Sequence, residues 1–221
     1  MGKSHTELQK EFNTAIASED KEKAVSLVIN SLDNHYLDIP SLYETVLRPA
    51  LTGISSDDKI QEITVWREHV RSSIVRTILE CCYPYLLRER DNSGQPKNGK
   101  KIIIICPAEE YHEIGARMAA DYFTLCGYDA VFVGGNTPRG DFLSALKVVK
   151  AEYVGISVSN YYNAVAAERT IKEIKEKNPE VKVIAGGYAF NRNPDLYKKI
   201  GADFHISGLE DIRRLSGEDD K

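Results

Sequence analysis

Long apolar runs are missing from this chain of 221 residues; no stretch approaches the roughly 20 residues that a membrane-spanning helix needs. The N-terminus, Met1-Gly2-Lys3-Ser4-His5-Thr6-Glu7, has no apolar segment behind its positive charge, so no secretory leader is read there and a cytoplasmic setting is expected. Cysteine is scarce. The 4 cysteines, Cys81, Cys82, Cys106 and Cys126, show no C-x-x-C spacing, and an adjacent pair does not readily close a relaxed disulfide, so reduced, partly buried thiols are expected. A basic excess is absent too: 29 Lys and Arg stand against 33 Asp and Glu, a net charge of -4. Division at residue 90 uncovers no basic half, with 11 basic against 14 acidic residues before it and 18 against 19 after it. Direct nucleic-acid binding therefore lacks its usual electrostatic footprint. Tryptophan occurs once, at Trp66, and its helical spacing assigns it to a core stripe.

What is present, 42% hydrophobic and 28% charged residues, suffices for one large domain or two small ones. Glycine is nearly absent from the first ninety residues, occurring only at Gly2 and Gly53, and apolar residues recur there at helical spacing. Leu8, Phe12, Ala15 and Ile16 make one stripe, and Val25, Val28, Ile29 and Leu32 a second behind the acidic start Glu19-Asp20. Pro40 opens a third helix that Pro49 is expected to bend or end, and a fourth runs from near Ile63 through Val70, Ile74 and Ile78 toward Pro84. The reading is a four-helix bundle over 1–90. Residues 91–100 are polar, with two glycines and a proline, and read as a linker.

Beyond the linker, over 101–215, short apolar runs alternate with amphipathic stretches. Strands are expected at Ile102–Cys106, Ala130–Val133, Tyr153–Ser157, Val181–Ala185 and Asp203–Ile206, with helices near 112–126, 138–150, 162–177 and 193–200. Five strands alternating with helices predict an α/β fold, a flavodoxin-like, doubly wound parallel sheet. Such sheets bind ligands at the carboxyl ends of their strands, where Glu109–Gly115, Gly134–Thr137, Ser157–Asn160 and Gly186-Gly187 fall.

The first of these loops puts Glu110 two residues before His112 and five before Gly115. An imidazole that ligates a metal through one nitrogen commonly donates its other N–H to a carboxylate, which sets the tautomer. A glycine at the helix start leaves room for a bulky planar ligand. Taken with Gly127-Tyr128, Gly135-Asn136-Thr137-Pro138, Ser157-Val158-Ser159 and Gly186-Gly187, the E-x-H-x-x-G loop resembles the cobalamin-binding domain family over 101 to about 207. The resemblance implies that His112 replaces the cofactor's own base as lower cobalt ligand and that Glu110 orients it. It further places Gly115, Thr137, Ser157, Ser159, Gly186 and Gly187 around the cofactor and its displaced nucleotide tail.

The first ninety residues resemble the helical cap of methionine synthase cobalamin modules, corrinoid methyl carriers and light-sensing cobalamin regulators. The stretch from Ile63 to His69 is similar to their T-V-x-x-E-H element, which assigns Glu68 and His69 to the upper ligand. The Glu110 variant of the loop, the G-N-T-P turn and Gly187-Tyr188-Ala189-Phe190 look closer to the sensory branch, although Asp58 and Lys59 stand where those sensors carry a tryptophan and a histidine. The implied protein is non-catalytic alone, binds adenosylcobalamin or methylcobalamin, and acts through a protein partner or as a homo-oligomer. A corrinoid subunit of a methyltransferase system, and a relative holding another ligand, stay open. Tyr161-Tyr162 read as channel cover or strand-edge packing, Lys172, Lys175 and Lys177 as a solvated face, His205 as structural, and the acidic end 217–221 of the segment 208–221 as a fraying tail.

Overall fold

The computed structural model describes residues 5–52, 64–193 and 195–219; Asp58, Lys59 and Ile63 lie outside them. The chain divides into two compact units, 1–92 and 93–221. In the first, α1 (His5–Ala17) buries Leu8, Phe12, Ala15 and Ile16. Asp20 caps α2 (Lys21–Asp33) by accepting from the Lys23 amide at 2.9 Å, and this helix buries Ala24, Val28, Ser31 and Leu32, one notch round from the expected stripe. Capping by Asp38 and a proline in the first turn start α3 (Ile39–Leu42), as both features favour.

Pro49 does not end that segment. A wide turn over Tyr43–Leu47, with the Arg48 N–H donating to the Tyr43 carbonyl, leads into α4 (Arg48–Thr52); the changed bonding pattern accommodates a residue with no N–H to give. Nor does Pro84 end the next helix. α5 runs Thr64–Asn92 with Pro84 inside it, because its buried residues, Ile74, Val75, Ile78, Leu79, Cys82 and Leu86, continue on both sides of the proline. A carboxylate oxygen of Glu89 accepts from the Ile39 amide at 2.9 Å, tying the two helices together beyond it. Trp66 is not core: it is 64% exposed within this unit.

In the second unit five parallel strands run β1 (Lys101–Pro107), β2 (Asp129–Thr137), β3 (Tyr153–Ser157), β4 (Lys182–Gly186) and β5 (Phe204–Ile206), in the order β2-β1-β3-β4-β5. This is the expected flavodoxin-like arrangement, with helices α6 (Ile114–Leu125), α7 (Arg139–Leu146), α8 (Ala164–Lys177), α9 (Tyr188–Arg192), α10 (Leu196–Lys199) and α11 (Leu209–Asp219) around it. The alternation of side chains along a strand builds two layers. Ile103, Ile105, Val154, Ile156, Val183 and Ala185 pack with residues of α7 and α8. On the other face Tyr128 meets Phe123 and Tyr153 edge-on, at 5.2 and 5.9 Å between ring centres.

Ahead of the expected tail, α11, a helix not foreseen, buries Ile212, Leu215 and Ser216, the Ser216 hydroxyl donating to the Cys126 carbonyl at 3.3 Å. α9 was not foreseen. Ser93–Lys100 packs on the second unit: the Asn98 amide donates to the Gly127 carbonyl at 3.1 Å. Lys175 is not simply solvated, since its ammonium pairs with Asp203 and donates to the Val181 carbonyl. All four cysteines are free; burial, first, pushes Cys106 up to about 12 and Cys126 up to about 11, so neither is a thiolate near neutrality.

Candidate functional site

In a doubly wound sheet the crevice opens where consecutive strands leave in opposite directions, here between β1 and β3. One carboxylate spans that point. Glu110, whose side chain is fully buried, accepts through Oε2 from the Ser159 and Asn160 amides, each at 2.9 Å, and from Asn163 Nδ2 at 3.2 Å. Its Oε1 accepts from the His112 amide at 3.0 Å and meets His112 Nδ1 at 2.6 Å. Burial works to raise the Glu110 pKa, but the hydrogen bonds from Asn160, His112 and Asn163 outweigh it and hold the carboxyl below the ordinary glutamate value.

An ionised Glu110 can only accept, which places the imidazole proton on Nδ1 and leaves the Nε2 lone pair outward. His112 is 72% exposed at the side chain, and Nε2 has no hydrogen-bond partner among the described residues. The ring is thus fixed at its base and open at its tip.

The surrounding loops are held to match. Glu109 and Asn136 both have positive φ, 68° and 49°, and they interlock: the Glu109 amide donates to Asn136 Oδ1 at 2.8 Å, and the Asn136 amide to the Glu110 carbonyl at 2.7 Å. Left-handed backbone is tolerated by asparagine and costly for glutamate, a cost that the interlock offsets. Glu113 closes the other side by accepting from the Gly135 amide at 2.7 Å.

Gly115, at the start of α6, has an ordinary helical backbone and no close neighbour. A Cβ there would meet nothing within 4 Å, so protein packing does not demand glycine and the space in front of α6 is open. Gly187 is required by the backbone itself, with φ 97° and a hypothetical Cβ 2.5 Å from the Val158 carbonyl. Gly187→Ala is therefore expected to destabilise the second unit by about 2 kcal/mol or more, from strain plus overpacking, readable as a lowered midpoint in urea; an unchanged midpoint would count against this. Gly186 lies beside β5, a Cβ there reaching within 3.3 Å of the Ile206 carbonyl.

Ser157 and Thr137 are both buried at strand ends, and the Thr137 hydroxyl donates to the Gly134 carbonyl at 3.0 Å. Ser159 enters through its backbone amide. Glu68 and His69 are exposed on α5 of the first unit. Asn136, Asn160, Asn163 and Glu113 were missed as site residues. Asparagine at successive loop positions was the available signal, since its side chain readily bonds nearby backbone.

Around His112 lie Tyr111, Tyr161 and Tyr162, 69%, 58% and 85% exposed. Tyr161 and Tyr162 sit on a short turn that Asn160 caps and Asn163 closes, and both asparagines bond Glu110; neither tyrosine is strand-edge packing. His205 is structural in its contacts, with Nε2 3.2 Å from Asn191 Oδ1 and its ring stacked on Tyr197 at 5.8 Å.

No cluster of three or more His, Cys, Asp or Glu suited to a metal occurs among the described residues. One imidazole with its second nitrogen free suits a metal that arrives with its other donors already in place, as in a tetrapyrrole-type macrocycle. The profile of the B12 binding domain matches residues 100–212. The chain belongs to that family. Among similar proteins, the HTH-type transcriptional repressor CarH of Myxococcus xanthus is 26% identical over 217 residues, spanning 96% of this chain and 68% of that one. A corrinoid protein of Desulfitobacterium hafniense (strain Y51) is 22% identical over 210 residues, spanning 94% and 95%. The monomethylamine corrinoid protein of Methanosarcina barkeri shares the fold at a TM-score of 0.80 and 15% identity, over 97% of this chain and 99% of that one.

Membership makes this a cobalamin-binding chain, and the residues present fit the cofactor: a pinned imidazole, open space at Gly115 and exposed tyrosines on the turn whose asparagines bond Glu110. No helix among the described residues is long and apolar enough to cross a membrane.

Proposed function

We propose that this protein holds cobalamin with the nucleotide base displaced and His112 as the lower cobalt ligand, and that it serves as a non-catalytic sensory module. The observation that carries the binding mode is the 2.6 Å contact that fixes His112 Nδ1 on a buried, ionised Glu110. When bound, cobalamin supplies cobalt chemistry that the chain has no group to perform itself.

The protein's own part is to present Nε2, to keep the Nδ1 proton in place through Glu110, and to limit water at the rim through Tyr111, Tyr161 and Tyr162. Thr137, Ser157, Ser159, Gly186 and Gly187 are assigned to the nucleotide tail. Glu68 and His69 are assigned to the upper ligand on their likeness to the T-V-x-x-E-H stretch.

The sensory reading is supported by the likeness to CarH along 96% of this chain; output then passes to a partner protein or to self-association as ligation changes. A second reading, a corrinoid subunit serving a methyltransferase, is supported by the relative named a corrinoid protein, 95% of which this chain spans. Protein reconstituted with adenosylcobalamin and with methylcobalamin separates the two. Light-dependent change in oligomeric state with the adenosyl form is expected. Rapid methylation of the reduced cobalt form by a companion methyltransferase, without any change in assembly, would replace the sensor by the carrier.

A further inference from the structure

β2 does not end in step with its neighbour. Ile104 pairs with Phe132, but Ile105 pairs with Gly134 and Pro107 with Thr137, so β2 takes up one extra residue at each of two places near its carboxyl end. Bulges of this kind re-aim a strand and are enriched beside functional sites. Here they carry Gly134, Gly135 and Asn136 against the loop that holds His112, and the approach is close. A Cβ at Gly134 would come within 3.3 Å of Glu113 Oε2, and one at Gly135 within 3.1 Å of the same oxygen and 3.3 Å of the Glu110 carbonyl.

Asn136 joins the two loops. Its Oδ1 accepts from the Glu109 amide at 2.8 Å and its own amide donates to the Glu110 carbonyl at 2.7 Å, so it holds the chain at both ends of the Glu109-Glu110 pair. This position asks for a side-chain acceptor and for a backbone at φ 49°. Glycine supplies the backbone without the acceptor. Aspartate supplies both, but adds a negative charge to loops that already carry Glu109, Glu110 and Glu113; asparagine supplies both and stays neutral.

We propose that Asn136 is a positioning residue for the lower ligand, fixing where the loop after β1 presents Glu110 and thereby the direction of His112 Nε2. This rests on the reading of His112 as the cobalt ligand. Glu110 is anchored towards β3 by its carboxylate, on the Ser159 and Asn160 amides, and towards β2 by its carbonyl, on Asn136. Two anchors on opposite sides stop the loop from pivoting. An imidazole has to meet cobalt along one direction, so a pivot costs ligation before it costs folding.

The test reconstitutes the full chain with methylcobalamin as the parent, Asn136→Gly and Asn136→Asp. It reads the ratio of imidazole-ligated to imidazole-free cobalt in the absorption spectrum and, separately, the urea midpoint of the cobalamin-free chain. Asn136→Gly is expected to lower the ratio by about 5-fold, the worth of one net hydrogen bond, with a midpoint close to the parent because glycine suits the left-handed backbone. Asn136→Asp, which restores the acceptor, should recover most of the ratio. An unchanged ratio in Asn136→Gly would overturn the proposal. So would an equal loss in Asn136→Asp, or a loss that only tracks a lowered midpoint, which is the mark of a purely structural residue. A parent spectrum without imidazole ligation would remove His112 as the ligand and this role of Asn136 with it, so the two failures read differently.

Discussion

His112→Ala is expected to lower cobalamin retention by about 100-fold, the upper end of what even an outer-sphere change costs at a metal site, and to abolish imidazole coordination in the absorption spectrum. Because His112 is largely exposed and gives the fold little besides its contact with Glu110, the variant should unfold close to the parent. That separates loss of a ligand from loss of structure. Added free imidazole should restore the spectrum partly, by filling the space that the side chain leaves. Unchanged affinity and spectrum in His112→Ala would remove His112 as the lower ligand and with it the proposed binding mode.

Glu110 carries the larger structural burden. Glu110→Ala strands the amides of Ser159, Asn160 and His112, each about 1–3 kcal/mol when buried unpaired, although inflowing water will recover part of that. A net loss of about 3–5 kcal/mol is expected, or about 10 °C in midpoint for a chain of this size. Glu110→Gln keeps the shape but turns one acceptor into a donor facing other donors, so it should destabilise as well and free the imidazole to rotate.

The acid limb gives a sharper readout. Folding lowers the Glu110 pKa through its hydrogen bonds despite the burial that opposes them, so the folded state favours the ionised form. This stabilisation is complete above the unfolded glutamate value of about 4.3 and is lost as pH falls through the lower folded value. The parent should therefore lose stability on acidification in that window, and Glu110→Gln should show a flatter acid limb there. Parallel curves for the two proteins would mean that the buried carboxylate does not carry this linkage.

The α/β grammar of the second unit was legible because each strand is a short apolar run and each major helix has a one-sided apolar stripe, signals that the chain carries locally. Proline was where local reasoning failed. Pro84 reads as a helix end and Pro49 as a bend or an end, yet the helical path continues through both, past Pro84 because buried residues flank it and past Pro49 by the wide turn over Tyr43–Leu47. Trp66 failed in the other direction: helical spacing marks a stripe but does not say that anything covers it, and the residue is exposed within its unit. The C-terminal helix was obscured by its high charge, since only the contacts of Ile212, Leu215 and Ser216 with the rest of the unit give that segment a reason to order.

At the candidate site the spacing of Glu110, His112 and Gly115 is itself sequence information, because the three consecutive loop positions from Glu110 to His112 can bring a carboxylate to an imidazole without help from the rest of the chain. Asn160 and Asn163 are about 50 residues away from Glu110, and no local pattern can reveal a hydrogen bond at that separation. Sequence alone determined the order of the five strands along the chain, the family, and the loop that sets His112 two residues after Glu110. Only the tertiary structure decided that Glu110 is a buried clamp between two strand ends, because whether a carboxylate is solvated or enclosed depends on which distant amides the folded sheet brings to it.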